Sequence, residues 1–135
     1  MIYNNALMLF DIENTNINYV KKTIDFCVNI NASVSIISIH EFDNLLPDEC
    51  PVDILNPISN QNLINQSDYI LNEINNNNWS IKSFFISRGD YISNVSKIIE
   101  NNNIDLIIVN KKGSVMFERK IKSIISKIQI DILRS

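Results

Sequence analysis

The stretch Gly89 to Asn110 reads GDYISNVSKIIENNNIDLIIVN, and its hydrophobic spacing changes period once. Ile92, Val95, Ile98 and Ile99 recur three and four residues apart, which lines one face of a helix. Asp105 to Val109 (DLIIV) is then a short apolar run, the pattern of a strand buried on both faces. Arg88-Gly89-Asp90 supplies a tight turn and an N-cap ahead of the helix, so its match to an adhesion tripeptide has a structural explanation. Asn101 to Asn103 fall where the helix ends, as Asn75 to Asn78 do earlier in the chain. A helix that leads directly into such a strand belongs to a parallel crossover, so the segment predicts an α/β sheet.

The alternation extends in both directions. Ala6 to Phe10 (ALMLF), ending in Asp11, reads as a first buried strand. Asn14, Thr15 or Asn16 can cap a helix whose apolar face is Ile17, Val20, Ile24 and Cys27, with Lys21, Lys22 and Asp25 outward, to about Asn29. Ser33 to Ile39 (SVSIISI) is the second strand. Leu63, Ser67, Ile70, Leu71 and Ile74 suit a helix, and Ile81 to Ile86 a third strand. After the fourth strand, Asn110 to Ser114 (NKKGS) is a loop, and Phe117, Ile121, Ile124 and Ile125 line a last helix. Lys127 to Leu133 (KIQIDIL) alternates like an edge strand. All three prolines, Pro47, Pro51 and Pro57, lie in 43–60, which reads as a variable loop. Five strands and four helices follow, in an open parallel sheet with ligands expected beyond the carboxyl ends of its strands, where Asp11 and Asn110 lie.

Composition bounds the function. At 135 residues, 45% hydrophobic and 20% charged, the chain reads as one globular domain, 1–135. Its 27 Ile, 22 Asn and 9 Lys reflect codons rich in A and T. No apolar run is long enough to span a membrane, and Met1 to Asn5 lacks the features of a secretory signal, so a cytoplasmic protein is expected. Two cysteines and one histidine give little from which to build a disulfide framework or zinc site, and His40, Asp48, Cys50 and Asp53 lack ligand spacing. Residues 1–68 carry two lysines against nine acidic side chains, and residues 69–135 ten basic against six acidic. The late basic excess has no interleaved aromatics or nucleic-acid motif, so neither a nucleic-acid nor a membrane partner is expected. No nucleophile stands with a base and no paired carboxylates share a motif, which argues against an enzyme. A phospho-receiver domain would need an acidic cluster around its phosphoacceptor, and the fourth strand ends instead in Asn110.

Three segments resemble the universal stress protein family: ALMLFD at 6–11 opening a helix, the Gly89–Asn110 block, and the Gly113 loop followed by a helix and a short apolar strand. The resemblance covers nearly all the chain except the proline-containing loop. It implies strand order 3-2-1-4-5 with helices on both faces, the adenine nucleotide alpha hydrolase-like arrangement, and a homodimer formed through the C-terminal edge strand. Members that bind ATP carry Gly-x-x-Gly, nine residues, then Gly-Ser or Gly-Thr after the fourth strand, the glycines admitting phosphate close to backbone amides. With Gly113 on the second glycine, Asn110 stands on the first, and the closing pair falls on Ser123-Ile124 or, with a one-residue deletion, on Lys122-Ser123. Ile12 also stands where the family commonly has a small glycine.

Two functional expectations follow. The first is a stress-response or regulatory homodimer that acts through contacts with an unidentified protein partner, needs no cofactor and has weakened or lost ATP binding. The second is an ATP-binding switch or slow ATPase with a non-standard phosphate loop at 110–114. There Lys111, Lys112, Gly113 and Ser114 precede a helix N-terminus that can hold an anion. The resemblance places any bound nucleotide against Asp11, Ile39, Asn110, Lys111, Lys112, Gly113, Ser114 and Ser123.

Overall fold

In the computed structural model the described residues are 3–11, 17–39, 68–86, 91–110 and 115–134. The candidate caps Asn14, Thr15 and Asn16, the segment 40–67 with its three prolines, the Arg88-Gly89-Asp90 turn and Lys111 to Ser114 lie outside them. The elements run β1 (Asn5–Asp11), α1 (Ile17–Asn29), β2 (Ser33–Ile39), α2 (68–76), β3 (Ser83–Ile86), α3 (Tyr91–Asn102), β4 (Leu106–Val109), α4 (Val115–Lys127) and β5 (Asp131–Arg134). The strands form one parallel sheet in the order β3-β2-β1-β4-β5.

The apolar runs are central because both faces of the sheet are covered. Ala6 to Phe10 are each at most 1% exposed. Ala6, Met8 and Phe10 pack with Val34, Ile36 and the inner faces of α1 and α2, whereas Leu7, Leu9 and Ile37 pack with α3 and α4. The chain moves outward from β1 to β2 and β3 through α1 and α2 on one face. It then crosses to β4 and β5 through α3 and α4 on the other. Direction and face reverse together, so every crossover keeps one hand, as right-twisted strands require.

At the amino end, α1, α2 and α3 finish in the same way. Asn31, Asn78 and Asn103 have φ of 59°, 56° and 53°, the left-handed conformation that Asn tolerates better than other side chains with a Cβ. The following amides reach back five residues in the chain, from Ala32 to the Cys27 carbonyl (2.9 Å), Trp79 to Ile74 (3.0 Å) and Ile104 to Ile99 (3.1 Å). Each pair also packs in one apolar cluster, completing a Schellman cap.

Asp105 precedes β4 rather than beginning it. Its carboxylate accepts from the amides of Asn4 (2.8 Å) and Asn5 (3.0 Å), and its own amide donates to the Asn5 carbonyl (2.9 Å), locking the start of β1 to β4. Tyr3 donates its hydroxyl to Asp131 at 2.8 Å, extending this clamp to β5 and raising the Tyr3 pKa through that bond.

Three details differ from the sequence reading. β3 starts at Ser83, two residues later than Ile81, although the Lys82 amide already reaches the Val34 carbonyl at 2.8 Å. β5 starts at Asp131: Lys127 closes α4, and the Ile128 amide still bonds to the Ile124 carbonyl at 2.8 Å. Ile128 and Ile130 nonetheless pack on the α3–α4 side, so alternation there reports packing before strand pairing begins. In α4, Ile125 is 53% exposed while Lys120 is 1% exposed. Lys120 lies three residues after Phe117 and four before Ile124, on the apolar stripe itself, and its ammonium stands 5.1 Å from the centre of the Tyr91 ring. Its aliphatic stem fills core space while the aromatic face receives the charge.

Candidate functional site

Connections leave β1 for β2 on one side and return past it to β4 on the other, so β1 and β4 flank the topological switch point. In an open parallel sheet this is where adjoining crossovers diverge and leave a crevice beyond the strand ends. β1 reaches that edge because the strand continues two residues, Phe10 and Asp11, past Leu9, the Cα partner of Val109. Asp11 closes β1 and is the Cα partner of Ile39, which closes β2. Half-buried Asn110 follows the last residue of β4 directly. The structure therefore brings Asp11, Ile39 and Asn110 to one edge of the sheet.

Lys111, Lys112, Gly113 and Ser114 lie outside the described residues, as does Ile12. Ser123 is half-buried within the continuous helix α4, eight residues beyond Val115. At 1.5 Å per residue it is about 12 Å along the axis from the helix start. Because α4 must carry the chain back to begin the parallel strand β5, that displacement leads away from the carboxyl edge.

Polar groups that the sequence reading did not assign lie near this edge. Thr23 and Ser38 are buried at 2% and 0% exposure on the α1 side, and the Ser38 hydroxyl has no hydrogen-bond partner among the described residues. Burial pushes the hydroxyl of Tyr19, in the first turn of α1, well above its ordinary pKa. On the opposite face, Lys120 places a buried ammonium beside the first residue of α3. Its spacing in the apolar stripe was the available signal, outweighed by its charge. Cys27 is buried, and burial pushes its thiol up to about 11, far from a reactive thiolate. Among the described residues, no group of three or more His, Cys, Asp or Glu gathers as a metal site would, and no helix is long and apolar enough to cross a membrane.

No family model and no curated protein matches the sequence. Solved structures do match. A universal stress protein, UspA, from Lactobacillus plantarum superposes with a TM-score of 0.65 at 12% identity, covering 99% of this chain and 98% of that one. A protein from the universal stress protein family of Burkholderia pseudomallei gives 0.61 at 10% identity, covering 98% and 96%. A universal stress protein in complex with cAMP gives 0.56 at 10% identity, covering 100% and 98%. The superpositions take in nearly the whole of each chain, so the chain has the fold of the universal stress proteins.

Proposed function

We propose that this chain, built on the universal stress protein fold, is a cytoplasmic stress-response or regulatory protein that works as a homodimer through contacts with another protein, with ATP binding weakened or lost. The observation that carries this reading is the position of Ser123 within an uninterrupted α4. In a helix only the first few amides lack an intrahelical acceptor, so the amide of residue 123 is committed to its own helix and is not offered to a phosphate. Asn110 in place of a glycine and Ile12 beside Asp11 add to the same conclusion.

The position of β5 supports the dimer. It pairs with β4 on one side and ends the sheet on the other, leaving an edge on which a second copy can continue the ladder. Arg134 makes a bidentate pair with Glu118 at 3.1 and 2.7 Å, which holds the end of this strand to α4. Half-buried Ile132 and Leu133 supply apolar contact on its two faces.

A nucleotide switch or slow ATPase is the second reading, favoured by the meeting of Asp11 and Ile39 at the carboxyl edge beside Asn110. Calorimetric titration with Mg-ATP and with cAMP, the ligand of one structural neighbour, separates the two readings when the same sample is sized by sedimentation. The first expects twice the 15.5 kDa chain mass and no saturable heat. Tight binding that weakens in Lys112→Ala and Asp11→Asn would replace it with the second.

A further inference from the structure

We propose that the amino end of the sheet carries a second binding site, for a small aliphatic monoanion such as a short-chain carboxylate, independent of the carboxyl-edge crevice. The site is a half-open cavity of about 320 Å³ between the α1–β2 turn and the α2–β3 turn. That volume lies at the small end of the range in which organic ligands bind. Its lining is Val28, Ala32, Ser33, Val34, Ser80, Ile81 and Lys82.

Both walls are preformed, because each belongs to a Schellman-capped turn with an Asn held at positive φ, Asn31 on one side and Asn78 on the other. Part of the main chain of the walls is already engaged. The Ser33 amide donates to Asn4, and the Lys82 amide to Val34. The side chains of the lining set the selectivity. Four are aliphatic, and Val34 and Ala32 form a buried floor at 2% and 9% exposure. Val28 is 56% exposed, leaving apolar surface at the rim that an aliphatic body would cover. Two are hydroxyls, and among the described residues of the lining the charge is the exposed ammonium of Lys82, with no carboxylate beside it. Aliphatic walls with a single cation select an anionic head on a short apolar body; an apolar alcohol lacks the charge, and an alkylammonium meets repulsion.

The test follows methyl resonances of the full chain by NMR during titration with hexanoate, alongside acetate, hexan-1-ol and hexylammonium. Saturable shifts confined to Val28, Ala32, Val34 and Ile81 are expected for hexanoate in the millimolar range, with little from the other three. Lys82→Gln, an exposed position, should weaken hexanoate by about fivefold, the ceiling for an exposed charge pair. Ala32→Leu should fill the floor and abolish the shifts in a chain shown to be folded by its remaining spectrum. Absence of saturable shifts, equal binding of hexan-1-ol, or an unchanged affinity in Lys82→Gln would each overturn the proposal.

Discussion

At the amino end of the sheet three helices pass to the next element through one repeated device, an Asn in the left-handed conformation followed by an apolar residue that reaches back into its own helix. At the carboxyl end the strand-to-helix segments have no sequence in common: IENTN after β1, SRGD after β3 and NKKGS after β4. Repetition at the amino end marks one backbone requirement met three times. Turns that only stabilise converge on the side chain that the backbone angle favours, whereas segments that meet ligands are free to differ because the strands beneath hold them. Substitutions of the left-handed Asn residues at the amino end should therefore move stability, and those at the carboxyl end should move it little.

The largest expected effect lies in the core that joins both ends. Leu9 is fully buried on the α3–α4 side and neighbours Ile37 and Val109 in the sheet. Leu9→Ala should lose about 2–5 kcal/mol in denaturant unfolding, through lost burial and the cavity left behind. A smaller loss would mean that this face collapses around the gap.

Asp105→Ala comes next, since it strips acceptors from the amides of Asn4 and Asn5 at once. Charged acceptors of this kind are worth about 1.5–3 kcal/mol. Hydrogen exchange sharpens the comparison: protection should fall at Asn4 and Asn5, while amides near the carboxyl end of β1 keep theirs.

An alkaline titration isolates the buried thiol of Cys27. Its pKa of about 11 in the folded chain exceeds the usual value of 9.0, so between those values the native state holds a proton that the unfolded state has released. The contribution is present in full below pH 9 and is lost as pH rises toward 11, on the order of 2 kcal/mol. Cys27→Ala should flatten that part of the unfolding profile measured against wild type. A parallel pair of profiles would place the alkaline loss elsewhere, with Tyr19 the next buried acid to test.

Much of this architecture can be read from spacing, because burial on one face or two imposes a period on the chain. The runs at 6–10 and 33–39 and the stripe in α1 show it, and the Asn clusters at 75–78 and 101–103 mark true helix ends. The misplacements share a cause. A period of two in 128–132 is satisfied by packing alone, so it cannot say where pairing with β4 starts. In α4 charge was weighed above spacing, although a lysine stem can line a core while its head finds an aromatic face. At the candidate site, the strand-end residues Asp11 and Ile39 were legible from the ends of apolar runs. The buried hydroxyl of Ser38 was not, because a serine in a β-branched run carries no sign of which face it meets or whether a partner awaits it.

The repeated turns give the next step down. Asn31→Ala, Asn78→Ala and Asn103→Ala should each cost about 1 kcal/mol, because a Cβ without the Asn amide is strained at positive φ. Glycine at the same positions should be neutral or slightly stabilising. Unequal costs would show that the turns are alike in backbone only, with Trp79 at the second one supplying packing that Ala32 at the first cannot.

The smallest stability effects belong to the carboxyl end, and there the comparison is most exposed to failure. Asp11→Asn and Lys112→Ala should each change unfolding free energy by no more than about 0.5 kcal/mol, the range of substitutions that break no packed contact or cap. A larger loss in Asp11→Asn would give that carboxylate a structural duty like that of Asp105, and the division between the two ends would fail at β1. A small loss, together with an unchanged response to Mg-ATP, would leave the carboxyl edge free of both duties. The β5 edge, where a second copy can extend the sheet, would then be the surface through which the chain acts.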